Sequence, residues 1–135
     1  MLISHVLVFK NDPRKVMSKR IIIYDDDKDI LTVTSVILQM KGYEVMCRED
    51  CLSLEGDLNS FKPEVILMDN RLPGMGGIKA VQYIKKHDHF KHIPVILFSA
   101  NSNVEDIARE AGADRVLRKP FEILELQQMI ATTLQ

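Results

Sequence analysis

Five short apolar runs rich in branched side chains recur along the chain, at residues 21–24, 44–47, 64–68, 93–99 and 115–117. Each is short enough for a strand covered on both faces, where apolar residues follow one another instead of alternating with polar ones. Between the runs the apolar positions change to helical spacing: Ile30, Val33, Thr34, Ile37 and Leu38 follow the first run, and Ile78, Val81 and Ile84 follow the third. Strand and helix signals therefore alternate, and right-handed crossovers would lay the helices on both faces of a parallel sheet. The pattern predicts a doubly wound α/β domain with five strands and five helices.

Local signals set the expected helix ends. Asp27 or Asp29 suits the N-cap of the first helix, and Gly42 stands just past its end, where a left-handed C-terminal cap belongs. The second helix, around residues 52–61, is the weakest, because Gly56 interrupts it. The fourth starts at Asn103, with Glu105 and Asp106 placed to favour its first turn, and the last covers residues 121–134. A chain of 135 residues fits one domain, at residues 20–135. Residues 1–19 form an N-terminal extension outside the pattern. Within it HVLVF, at residues 5–9, suits an added edge strand and Met17 an alternative start, and no function is assigned to it.

Composition acts mainly by exclusion. Hydrophobic residues at 46%, charged residues at 27% and a formal net charge of −1 fit a globular domain with no electrostatic footprint for nucleic acid or a membrane surface. The apolar start lacks a basic flank and a cleavage pattern and is too short to span a bilayer, so a cytoplasmic protein is expected. Cys47 and Cys51, the two cysteines, have no nearby histidine to complete a metal spacing and read as reduced thiols. His87, His89 and His92 lie in the polar stretch HDHFKH and read as a solvated connection.

The chemistry collects at the predicted strand ends. In an open parallel sheet the ligand site lies outside the carboxyl edge, where the strand order reverses. The first strand ends in Asp25, Asp26 and Asp27, the third in Asp69, the fourth in Ser99 and the fifth in Lys119, whereas the second, ending near Cys47, adds nothing. If strands one and three are neighbours, their aspartates meet, and close carboxylates stay ionised together only with a cation. Hard oxygen ligands beside a phosphate favour magnesium. Such a group supports phosphoryl transfer through an aspartyl phosphate, in which a carboxylate attacks while a metal, a lysine and a hydroxyl stabilise the phosphoryl oxygens. Asp69 is the candidate nucleophile, followed by the glycine-bearing loop NRLPGMGG, and Asp25 and Asp26 are the candidate ion holders.

These residues resemble the response-regulator receiver domains of two-component signalling. The resemblance covers residues 20–134 and rests on the acidic pair Asp25 and Asp26, on MDNRLPGMGG around Asp69, on Ser99 followed by Ala100, and on KPF at residues 119–121. It implies a flavodoxin-like sheet of order 2-1-3-4-5 and a phosphoryl group taken from a histidine kinase or a histidine phosphotransfer protein onto Asp69. Mg2+, or Mn2+ in its place, would be held by Asp26 directly, Asp25 mainly through water, Asp69, and the backbone carbonyl of Arg71. Ser99 and Lys119 would bind phosphoryl oxygens, and a cis peptide between Lys119 and Pro120 would aim the lysine into the site. Such a protein phosphorylates and dephosphorylates itself rather than acting as a conventional enzyme. It would signal to a downstream protein by docking or pass the phosphoryl group on, and the chain reads as a stand-alone receiver because it stops one helix after Lys119.

Two departures qualify the resemblance. Gly76 stands where the family's loop usually carries aspartate or asparagine, and Val116 stands where an aromatic usually turns inward as the Ser99 position shifts. Arg71 and Asn101 occupy positions that tune phosphoryl lifetime in the family. Three rival readings follow from the same residues. A receiver used only for docking would keep the fold without the chemistry. A haloacid-dehalogenase-like phosphatase would use Asp25 as nucleophile and Asp27 as acid, but it lacks an acidic pair after Lys119 and leaves Asp69 idle. A dinucleotide module fails because Lys79 falls where the third glycine of its loop belongs.

Overall fold

The computed structural model describes residues 18–135; the expectations for HVLVF and for Met17 lie outside the described residues. The elements are β1 (Arg20–Tyr24), α1 (Lys28–Gln39), β2 (Glu44–Arg48), α2 (Leu54–Phe61), β3 (Val65–Asp69), α3 (Gly77–Lys86), β4 (Val95–Ser99), α4 (Val104–Ala111), β5 (Arg115–Arg118) and α5 (Ile123–Thr133). All strand pairs are parallel, in the order β2-β1-β3-β4-β5. Among the described residues the expected doubly wound α/β sheet of five strands and five helices is therefore present.

Strand pleating divides the core in two. Ile21 and Ile23 face α1 and α5, joined there by Leu38, Leu67, Phe98 and Leu126. Ile22 and Tyr24 face α2, α3 and α4, joined by Leu58, Met68, Val81 and Ile107. Every residue of β3 and β4 is buried, which is why these two runs show no alternation in the sequence.

Several element ends differ from expectation for identifiable reasons. The second helix begins at Leu54 rather than near Leu52, because the Asp50 carboxylate accepts the Leu52 N–H at 3.0 Å and holds a turn there. Gly56 lies inside α2 without breaking it. β4 begins at Val95, because Pro94 has no N–H to give and the Ile93 N–H is spent on the Phe90 carbonyl. α5 starts at Ile123, where the Glu125 carboxylate reaches back to the Glu122 N–H at 3.4 Å. Asp27, not Asp29, caps α1, its carboxylate accepting the N–H groups of Asp29 and Ile30. Asn103 holds the N-cap position of α4 without a side-chain cap bond. Gly42 takes φ +92°, but it lies two residues beyond the cap residue Met40 rather than one.

Candidate functional site

β1 and β3 are neighbours at the point where the chain, having laid β2 on one side of β1, crosses to build the other half of the sheet. Their carboxyl ends bring Asp25 and Asp69 side by side. Backbone bonds carry the order one step past the strands: the Asp25 N–H donates to the Arg48 carbonyl at 3.0 Å, and the Lys119 N–H to the Ser99 carbonyl at 2.9 Å. Asp25 and Lys119 are thus fixed by sheet pairing although both lie just outside the strands.

Asp25, Asp26 and Asp69 each place a carboxylate oxygen within 4.8 Å of the other two. Asp25 and Asp69 are buried and Asp26 is exposed. Lys119 enters from across the sheet, its Nζ lying 2.6 Å from Asp25 Oδ2 and 3.2 Å from Asp69 Oδ1. The remaining oxygens are also engaged: the Asp27 N–H donates to Asp25 Oδ1 at 2.9 Å, and the Arg71 N–H to Asp69 Oδ2 at 3.2 Å. Burial raises the Asp69 carboxyl above the ordinary carboxylate range; the Lys119 ammonium opposes the rise and the Asp25 charge adds to it. Burial also works against the Lys119 ammonium, but its hydrogen bond to Asp25 and the charges of Asp69 and Asp25 outweigh that and hold its pKa above the usual lysine value.

Ser99 is buried at the end of β4, where its Oγ accepts the Asn101 N–H at 3.0 Å. The Lys119–Pro120 peptide is cis. The loop after Asp69 turns on Gly74 and Gly76, at φ +79° and +83°. Both are conformations that L side chains rarely adopt, so the glycine at position 76 suits the backbone found there. Val116 is half-buried, packed against the α2–α4 side of the core.

Two features escaped the sequence reading. The first is a polar cluster on the α2–α4 face of the sheet: the buried Tyr24 hydroxyl donates to Asp57 Oδ2 at 3.0 Å, and the exposed Arg48 pairs with Asp57 Oδ1 at 3.3 Å. The second strand, which seemed to add nothing, thus ends in a residue tied to α2. Burial, then the Asp57 charge and hydrogen bond, keep the Tyr24 hydroxyl protonated far above its usual range. An aspartate on the buried face of a helix, with a tyrosine and an arginine at two strand ends, is a signal visible only once the strands are paired. The second is Phe98, one residue before Ser99, whose ring faces Lys119 Nζ at 4.5 Å from its centroid.

Cys47 packs on the α1–α5 side of the sheet and Cys51 on the other, and both thiols are free. The three aspartates are the only cluster with metal-holding geometry among the described residues, so the histidines of HDHFKH do not form one. None of the described helices is long and apolar enough to cross a membrane.

The donor set fits a hard divalent cation: three carboxylates converge, with a single ammonium to offset them. Known proteins share this arrangement's frame. The chain is 32% identical over 121 residues to the phosphate regulon transcriptional regulatory protein PhoB of Escherichia coli, covering 88% of this chain and 53% of that protein. It is 35% identical over 121 residues to the regulatory protein AtoC of Escherichia coli, covering 86% of this chain and 25% of that one. The chain therefore spans about half the length of the first of these relatives and a quarter of the second. Among solved structures, a putative response regulator of Chloroflexus aurantiacus superposes with a TM-score of 0.82 at 26% identity, over 87% of this chain and 98% of that one. The receiver domain of a sensor histidine kinase of Pseudomonas aeruginosa, with a magnesium ion coordinated in its active-site cleft, gives 0.80 at 27% identity over 87% and 98%. Residues 21–131 match the family described as the response regulator receiver domain, and the chain belongs to that family.

Proposed function

We propose that this chain accepts a phosphoryl group on Asp69 from the phosphohistidine of a histidine kinase or a histidine phosphotransfer protein. It then signals by docking a downstream protein or by passing the group on. The observation that carries the reading is the meeting of Asp25, Asp26 and Asp69 with Lys119 at the crevice between β1 and β3. Asp25, Asp26, Asp69 and the backbone carbonyl of Arg71 would hold Mg2+ or Mn2+. When bound, the ion neutralises charge on the carboxylates and the incoming phosphoryl oxygens.

The protein's own groups do the rest. The Arg71 N–H and the Lys119 ammonium hold the two oxygens of Asp69 and fix the carboxylate's orientation. An Asp69 oxygen attacks phosphorus, the P–O bond forms, and the P–N bond breaks with its electron pair going to the imidazole nitrogen. Lys119 and the Ser99 hydroxyl meet the phosphoryl oxygens, for which Ser99 gives up the hydrogen bond it donates to Asn101 Oδ1 at 3.3 Å. Attack by water on the same phosphorus later restores the carboxylate. Phosphorylation adds charge where Asp69 is already desolvated, and the movement of Ser99 biases the surface around β4, β5 and α4. Val116 offers that surface a small apolar side chain in place of a turning aromatic.

Incubation with acetyl phosphate and Mg2+ followed by intact-mass measurement tests the reading. One added phosphoryl group is expected in the wild type and none in Asp69→Asn. Undiminished labelling of Asp69→Asn would refute the assignment, and undiminished labelling with loss only in Asp25→Asn would move the nucleophile to Asp25.

A further inference from the structure

Lys119 has three partners, and two of them change during the reaction proposed above. Asp25 is a metal-binding carboxylate and Asp69 is the group that reacts, so the charge Lys119 sees from each alters as a cation binds and phosphorus arrives. The third partner is the face of Phe98, whose centroid lies 4.5 Å from Nζ. Phe98 is the direct register partner of Asp69 on the neighbouring strand, so both side chains rise on the same face of the sheet. It is fully buried and backed by Phe121, whose ring centroid lies 6.4 Å away. The ring therefore has no freedom to follow the ammonium; the ammonium follows the ring. A leucine or valine at this position would desolvate the crevice equally well but would not attract a cation, whereas the negative face of an aromatic ring does.

We propose that Phe98 is a positioning residue for phosphoryl transfer, holding the Lys119 ammonium over Asp69 through its ring face while the carboxylate partners change. The inference rests on the reading of Asp69 as phosphoacceptor. It predicts that the electron density of the ring, and not only its volume, sets the rate at which Asp69 is modified.

Progressive fluorination of the residue 98 ring, introduced as mono-, di- and trifluorophenylalanine, drains the ring face while nearly conserving its shape. The initial rate of labelling by acetyl phosphate at saturating Mg2+ is read by intact mass, in the wild-type background and in Lys119→Ala. In the wild-type background the rate falls stepwise, to about one tenth in the trifluoro protein, the size of a desolvated cation–π contact. In Lys119→Ala the series is flat, since the cation is gone. A flat series in the wild-type background, or equal slopes in both, overturns the proposal, because ring packing alone would act without Lys119. Absence of any labelling in the unfluorinated wild type overturns the phosphoacceptor reading itself, and this role with it. Phe98→Leu, checked by urea melting for folding, is expected to match the trifluoro protein in rate.

Discussion

Gly77→Ala is the smallest change that tests how the crevice is built. α3 starts at Gly77 directly against the end of β3, and a Cβ added there would lie 1.9 Å from the Asp69 carbonyl oxygen, 2.7 Å from the Asn70 Cα and 2.8 Å from the Asp69 carbonyl carbon. All three are backbone atoms, so no side-chain rotation relieves the clash. Restoring a carbon–oxygen contact of about 3.3 Å requires α3 and the end of β3 to part by about 1.4 Å. β3 is buried on both faces and paired with β1 and β4, so the movement falls on α3 and the loop from Asn70 to Gly76. Overpacking of this kind costs about 3 kcal/mol, at the upper end of the usual range. With a urea slope of about 2 kcal/mol per molar, the melting midpoint falls by about 1.5 M. Gly56→Ala is the control, because its added Cβ meets nothing within 4 Å on a helix, and it should stabilise by about 0.5 kcal/mol. A Gly77→Ala protein with an unchanged midpoint would refute the reasoning, since the backbone of Asp69 and Asn70 leaves the methyl group no place to go.

Asp69→Asn is expected to be more stable than wild type at neutral pH without divalent cations. Its carboxyl is raised in the fold, so wild-type stability is fully present below the unfolded pKa of about 3.9 and is lost as pH rises through the folded value. The advantage of the variant should therefore vanish in acid, and urea melts at several pH values decide it. The Tyr24 and Asp57 pair should be coupled: Tyr24→Phe costs about 1 kcal/mol, Asp57→Ala about 3 because a buried hydroxyl is left unpaired, and the double variant costs less than the sum. Additive costs would mean that the hydrogen bond contributes nothing. Burial pushes the Cys51 thiol up to about 12, so alkylation in the folded protein should modify Cys47 first and Cys51 only on unfolding. The same shift implies that stability falls by about 1.4 kcal/mol per pH unit above pH ~8.5, as the unfolded thiol ionises and the buried one does not.

The fold was legible because burial on both faces writes itself as unbroken apolar runs: β3 and β4 are buried throughout, and the runs at residues 64–68 and 93–99 announce them. Strand ends were legible for a related reason. Asp25, Asp69, Ser99 and Lys119 are polar residues at the limits of apolar segments, and in a parallel sheet those limits share one edge. Illegible were the contacts that need register. Nothing local says that Phe98 stands beside Asp69, or that the arginine ending β2 reaches the same aspartate on α2 as the tyrosine ending β1. The start of α2 was misread because the Asp50 turn competes with the helix for the backbone N–H of Leu52, a local choice that helical spacing does not reveal.

The three carboxylates are not equivalent, and the difference separates binding from folding. Asp25 is buried and holds both Lys119 and the Asp27 N–H, so it takes part in the native network with or without a cation. Removing its charge leaves Lys119 with Asp69 alone among the carboxylates and weakens an N–H bond at the start of α1. Asp26 is exposed and lies within 4.8 Å of the other two only as an oxygen donor. As a proposed ligand it would contribute to a cation site while contributing almost nothing to the fold without the ion. Asp26→Asn should therefore melt like wild type without Mg2+ but lose the stabilisation that added Mg2+ provides, about 2.7 kcal/mol at a concentration 100 times the dissociation constant. Asp25→Asn should change the melt in both conditions. If Mg2+ stabilises Asp26→Asn as much as wild type, the exposed aspartate is not a ligand. The crevice would then have to hold the ion with its two buried carboxylates, both of which already share Lys119.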